Sequence, residues 1–379
     1  MESLYIGNLE ASLPIIQGGM GVAVSLSGLA SAVANEGGIG IISSAAIGML
    51  VPDFSKNFRE ANERALRDEI RKARRMTDGI IGVNIMVALT DFTDHLIVAV
   101  EEGADLIISG AGLPLKMPDI IIADKKAENK TKFVPIASSA RAAKLIFSYW
   151  ADHYGVIPDA VVVEGPKAGG HLGFKNSQIS DKSFSLEKLI PEVVSAMKPF
   201  EEQFGRSIPV IAGGGVYTGA DMHKIMSLGA AGVQIATRLV PTYECDASEK
   251  FKEAYVNSKK EDLLIIKSPV GLPGRALRNK FLEDVESGKK TPVKCPWQCI
   301  RTCDYTKAPY CISLALINAS KGNLKNGFVF AGSNAYRTTK IQTVKAVLDE
   351  MIREYANAGT AKEIMRQRKP RDLAPVVSA

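Results

Sequence analysis

Eight short apolar runs punctuate the chain between residues 14 and 236. They are Pro14–Gln17, Ile39–Ser43, Ile80–Met86, Asp105–Ser109, Val134–Ala137, Ala160–Glu164, Pro209–Ala212 and Gly232–Ala236. Their apolar residues are continuous rather than alternating, as in strands buried on both faces. Amphipathic stretches lie between them, clearest at Phe54–Arg75, Ser185–Phe204 and Ala220–Leu228. Strand then helix, repeated eight times, predicts a parallel sheet, and the count of eight predicts a closed TIM (β/α)8 barrel, an α/β fold. The competing architecture is an open doubly wound sheet. Asp105–Ser109 and Val134–Ala137 are the least clearly patterned strands. Pro114, Pro118 and a Lys-rich turn at Lys125–Lys132 obscure the helix between them.

After Arg238 the rhythm changes. Ala247–Asn257 and Glu261–Ile266 suit a helix and a strand, and Pro269, Gly271, Pro273 and Gly274 then interrupt. Helix-like runs follow at Tyr310–Asn318 and Thr339–Tyr355, and Lys362–Ala379, with Pro370 and Pro375, reads as a frayed tail. We therefore expect a barrel over residues 1–242. A C-terminal extension over 243–379 would pack across the barrel mouth as a lid and carry the cysteine-rich segment 295–311.

Composition narrows the function classes. With 46% hydrophobic and 23% charged residues, the chain is neither disordered nor a coiled coil as a whole. The net charge of +6 is mild, and no dense basic block is interleaved with aromatics, so nucleic acid is not an expected partner. A mild positive excess suits phosphorylated cofactors or acyl thioesters. No charge occurs from Ala11 to Asn35, but Pro14, Gln17, Gly18, Gly19, Gly21 and Gly28 break that stretch, so it is not read as a membrane span. Glu2 and Glu10 stand where a signal peptide would carry positive charge. A soluble cytoplasmic protein acting on a small molecule is expected, with a homodimer left open.

The glycines gather where barrel strands end. Gly18, Gly19 and Gly21 follow the first run; Gly165, Gly169, Gly170 and Gly173 the sixth; Gly213, Gly214 and Gly215 the seventh. Ligands bind at that end of a barrel, and glycine lets the backbone approach them. Ile208–Val216, Thr218–Asp221 and Gly229–Arg238 read as strand, helix and strand, and together predict a phosphate cup made by the loops after strands seven and eight. Of four histidines, His171 stands in a glycine loop at a strand end and is the candidate catalytic residue. His223 falls mid-helix, and His95 and His153 have no notable sequence neighbours.

These motifs resemble the nitronate monooxygenase family, once called 2-nitropropane dioxygenases, which is similar to the flavin-dependent enoyl-acyl-carrier-protein reductases. The resemblance rests on Pro14–Gly21, Glu164 with Ala168–Gly173, Ala212–Gly215, Gly232–Arg238 and Pro269–Asn279. It implies an FMN-binding barrel. Gln17, Gly18, Gly19 and Met20 would line the flavin, Asn84 would touch its ring or the substrate, Lys167, Gly169 and Gly170 would lie beside it, and Gly213, Gly214, Gly215, Gln234 and Thr237 would hold its phosphate side. His171 matches the active-site histidine of the family. The implied chemistry is oxidation of an alkyl nitronate with dioxygen to a carbonyl compound and nitrite. His171 would stabilise the anion if protonated, or act as base toward a neutral nitroalkane if neutral. Two alternatives stay open: an NAD(P)H-dependent enoyl-thioester reductase on the same barrel, and a non-catalytic flavin-binding regulatory protein.

Four of the five cysteines, Cys295, Cys299, Cys303 and Cys311, lie within one segment. In a cytoplasmic chain such spacing favours metal or cluster binding over disulfides. An iron–sulfur cluster, a tetrahedral zinc and unliganded redox-active thiols are all compatible with it. Cys295, Cys299 and Cys303 would share one face of a helix beginning at Pro296. Cys245 is isolated and reads as packed in the core or near the flavin phosphate.

Overall fold

A computed structural model describes residues 1–127, 131–290 and 295–367. The eight apolar runs form eight parallel strands. They are β1 (Ile15–Gln17), β2 (Gly40–Ser43), β3 (Ile81–Met86), β4 (Leu106–Gly110), β5 (Lys132–Ala137), β6 (Val161–Glu164), β7 (Val210–Gly213) and β8 (Gly232–Ile235). Each pairs with its sequence neighbour from β2 to β8, apart from the long crossings made by the helices between them. β8 returns to β1, with Val233 opposite Ile15. A parallel bridge between Ile16 and Ile39 joins β1 to the start of β2. The ring therefore closes, and the open sheet is excluded.

Burial explains the closure. Ile16, Ile41, Ile108, Val134, Val162 and Ile211 are fully buried in one cluster together with Leu4 and Ile6. The latter two come from an antiparallel hairpin, Leu4–Ile6 with Leu9–Ala11. Leu4 also packs beside Gly232, at the beginning of β8, so the hairpin stoppers the N-terminal end of the barrel. The opposite end is left for a site. Outward-facing strand residues such as Ile42, Val83 and Ile107 pack under the helices.

The amphipathic stretches become helices Phe58–Met76, Leu186–Phe204 and Gly219–Met226. The obscure segment holds a short helix, Asp119–Lys126, and the indole of Trp150 donates to Pro114 O at 2.9 Å to fasten its approach. Part of the expected Lys125–Lys132 turn, residues 128–130, lies outside the described residues.

Past β8 come helix Glu249–Val256, strands Leu263–Lys267 and Pro273–Leu277, and helices Ile312–Ser320 and Val344–Gln367. The last helix runs beyond the expected start of a frayed tail at Lys362, and residues 368–379 lie outside the described residues. It packs on Gly219–Met226, where Glu354 accepts from Gly219 N–H at 2.7 Å and Glu350 meets Arg238 at 2.6 Å. The cysteine segment is not helical. Gln298 takes a left-handed backbone conformation (φ 47°), which an α-helix does not admit. No helix among the described residues is long and apolar enough to cross a membrane.

Candidate active site

One cavity of about 260 Å³ opens at the C-terminal ends of the barrel strands. It draws Gly18, Gly19 and Met20 from after β1, Asn84 from β3, Lys167, Gly169, Gly170 and His171 from after β6, Gly214 and Gly215 from after β7, and Gln234 and Thr237 from β8. Residues separated by more than two hundred positions meet because parallel strands all end on one rim.

Two expected residues stay out of the wall. Gln17 is fully buried, and its amide is spent on β2: Nε2 donates to Ile41 O at 2.8 Å and Oε1 accepts from Ile41 N–H at 2.9 Å. Gly213 is held in the ladder between Glu164 and Gln234. Both shape the rim from behind it.

Close backbone approaches explain the glycines. A Cβ on Gly19 would stand 2.2 Å from Asn84 Cβ. Gly214 has φ +87°, and a Cβ there would meet Gly165 O at 2.7 Å.

The expected phosphate cup has loop donors. Most N-terminal amides of the helix Gly219–Met226 are spent within the protein. Asp221 accepts from Tyr217 and Thr218 N–H, Thr218 Oγ1 accepts from Asp221 N–H, and Glu354 takes Gly219 N–H. The loop supplies donors instead. Among the described residues, the N–H groups of Gly214, Gly215 and Thr237 meet no protein acceptor. Gln234 Oε1 is likewise buried without a partner. Unspent amide donors, an orphaned amide oxygen and a slot of this size suit a flat phosphorylated group such as FMN.

His171 belongs to a small sheet of its own. Gly170–His171 pairs antiparallel with Pro273–Leu277, which also pairs with Leu263–Lys267. Its Nε2 lies 2.7 Å from Ser268 Oγ, and its ring meets Phe330 edge-on at 5.1 Å. Burial lowers its pKa from 6.5 to about 4, so the imidazole is neutral at pH 7.

Several site residues were given no role from the sequence. Glu164 ends β6 in the cavity wall, and burial raises its carboxyl to about 7. A carboxylate closing the run Val161-Val-Val was the available signal. Arg275 is buried and donates to Pro166 O at 2.8 Å and to Ala168 O, pinning the loop that carries His171. Ser268 reaches His171 from 97 residues away, a distance that no local pattern reports. The region after β8 also supplies Tyr255, Ile300, Ile312, Leu316 and Phe330 to the wall.

The other histidines stand elsewhere. His95 does have partners: its Nδ1 lies 2.9 Å from Ser44 Oγ and its Nε2 3.2 Å from Asp91, which Asn62 also binds. This cluster is sealed from solvent and serves packing. His153 stacks on Tyr149, and His223 meets Tyr355 edge-on. Cys245 is buried outside the cavity wall, with its thiol donating to Val24 O at 3.4 Å, and burial pushes its pKa up to about 12.

Comparison with known proteins finds relatives of the same fold. The profile of the nitronate monooxygenase family matches residues 2–354. A curated relative in Mycobacterium tuberculosis, named (3aS,4S,5R,7aS)-5-hydroxy-7a-methyl-1-oxo-octahydro-1H-indene-4-carboxyl-CoA dehydrogenase, is 29% identical over 73% of this chain. The chain spans just under two thirds of that protein's length, 66%. A probable nitronate monooxygenase of Staphylococcus aureus is 27% identical over 73% of this chain and 78% of its own. Among solved structures, FabK from Thermotoga maritima superposes with a TM-score of 0.71 at 27% identity, covering 94% of this chain and 96% of its own. Nitroalkane oxidase from Streptomyces ansochromogenes superposes at 0.69 with 20% identity, over 92% and 97% of the two chains, a likeness of fold.

Proposed function

The chain belongs to the nitronate monooxygenase family of oxidoreductases, and on that premise we propose that it is an FMN-dependent enzyme oxidising alkyl nitronates with dioxygen to a carbonyl compound and nitrite. The observation that carries the reading is His171. It is neutral, oriented by Ser268, and set in the same wall as the unspent Gly214, Gly215 and Thr237 amides and the orphaned Gln234 oxygen. FMN, when bound, supplies the capacity to take up the substrate's electrons and pass them to dioxygen. In the proposal Gly214, Gly215 and Thr237 hold its phosphate, and Gly18, Gly19, Met20, Asn84, Lys167, Gly169, Gly170 and Gln234 border its ring.

A neutral imidazole accepts a proton from the carbon next to a nitro group, so His171 serves as base when the substrate arrives as a nitroalkane. Arg275 keeps that imidazole in place by fixing the Pro166 and Ala168 carbonyls. Residues 1–242 form the catalytic barrel in this reading. The chain from 243 onward covers it and contributes the apolar wall of Ile300, Ile312 and Leu316.

That apolar wall, which suits an acyl chain, favours a second reading: an NAD(P)H-dependent oxidoreductase of acyl thioesters. The likeness to a CoA-thioester dehydrogenase supports it. The test is an absorbance spectrum of anaerobically purified protein before and after adding ethylnitronate or NAD(P)H. Flavin bleaching by nitronate alone, followed by oxygen uptake and nitrite release, is expected. Bleaching by NAD(P)H with reduction of an enoyl thioester would replace the first reading by the second. No flavin bands, or turnover indifferent to His171→Ala, would overturn both.

A further inference from the structure

Cys295, Cys299, Cys303 and Cys311 belong to a second cavity, beside the active site. All four line one small pocket with Tyr305 and Tyr310. None is in a disulfide. The loop around the pocket is anchored to the barrel: Thr90 N–H donates to Cys299 O at 3.2 Å, Arg301 N–H to Ala88 O at 2.9 Å, and Leu89 bridges Ile300. The four thiols therefore converge on a fixed volume, with the helix expected at Pro296 replaced by a wrap.

The donor set and its pocket decide what fits. A single zinc needs its thiolates about 2.3 Å from one point. No group of three or more His, Cys, Asp or Glu side chains among the described residues is gathered so as to hold one metal ion. Four cysteines lining one pocket match an inorganic core with one thiolate at each corner. Two donors already face the sulfurs: Gln298 N–H points to Cys295 Sγ at 3.4 Å, and Ser313 Oγ lies 3.3 Å from Cys299 Sγ. Cys311 stands at the N-terminal end of the nine-residue helix Ile312–Ser320. Hydrogen bonds to the sulfurs are a means by which a protein stabilises an anionic cluster.

We propose that these four cysteines ligate one [4Fe–4S] cluster. Ile300 and Ile312 line both cavities, so the cluster sits one side chain from the active-site cavity. The site stands on the cysteine geometry alone and does not depend on the FMN reading.

The experiment is anaerobic purification of the full chain, with iron, acid-labile sulfide, zinc and released flavin measured on the same sample. About four irons and four sulfides per chain are expected, with an electron paramagnetic resonance signal appearing on dithionite reduction. Cys303→Ser should lose iron and sulfide, while Cys245→Ala, outside the pocket, retains them. The wild-type chain alone keeps the proposal falsifiable if a variant fails to fold. Stoichiometric zinc without sulfide would overturn the cluster. So would wild-type protein that holds neither iron nor sulfide after anaerobic reconstitution with both. Flavin is counted separately, so its absence would count against the proposed function and leave the cluster standing.

Discussion

Replacing Glu164 by glutamine makes a sharp test of the active-site electrostatics. The carboxyl closes β6 in the cavity wall, and burial alone raises its pKa from 4.5 to about 7. That difference corresponds to roughly 3 kcal/mol of disfavoured ionisation, and water entering the cavity screens it to about 1–2 kcal/mol. The folded state holds this proton more tightly than the unfolded chain does. Its contribution to stability is therefore fully present below about pH 4.5 and is lost as pH rises through about 7. Glu164→Gln keeps the shape and stays neutral. It should match wild type near pH 5 and exceed it by about 1–2 kcal/mol near pH 8.5. Urea unfolding followed by tryptophan fluorescence, at matched flavin occupancy, reads the difference. An equal stability gap at both pH values would refute the reasoning, because a lost packing contact does not titrate. The same carboxylate, once ionised, opposes an anionic substrate. Wild-type kcat/KM on a nitronate should therefore fall above pH 7, and the variant should not show that fall.

Other perturbations probe the remaining parts. His171→Ala should lower kcat on nitroalkanes about 10²–10⁴-fold with flavin content unchanged; wild-type kcat/KM should lose activity to His171 protonation only toward about pH 4, as steady-state profiles will show. Gly214→Ala places a Cβ 2.7 Å from Gly165 O at φ +87°. It should cost about 1–3 kcal/mol in denaturant unfolding and weaken FMN retention on dialysis. Arg275→Met leaves the Pro166 and Ala168 carbonyls without their donor and should destabilise the protein by about 2–4 kcal/mol. In surviving protein, turnover should fall while KM for nitronate changes less, because Arg275 acts through His171. Gln234→Leu removes the orphaned Oε1, and fluorescence titration should show weaker FMN binding.

The barrel was legible because parallel strands buried on both faces leave continuous apolar runs, and eight such runs admit few other closures. The glycines at the strand ends were legible for a local reason: a close backbone approach tolerates no Cβ, as at Gly19 against Asn84 and Gly214 against Gly165. The N-terminal hairpin was not, since three-residue strands carry too little pattern. The bonding of Gln17 was not legible, because the motif that contains it does not report that a neighbouring backbone takes up its amide. The cysteine wrap was missed because a four-residue spacing also fits a helix, and only the left-handed turn at Gln298 rules that out.

The sequence by itself determined the fold, the rim that carries the cavity and the four thiols available in one segment. The tertiary structure decided the state of the groups. His171 is neutral and Glu164 holds its proton near neutral pH because each is desolvated by residues remote in sequence. Ser268 and Arg275 act on a loop about a hundred residues earlier, and the four thiols surround a shared space rather than lie along one helical face. Burial and long-range contact set a pKa and an orientation, and both depend on every element that closes over the group.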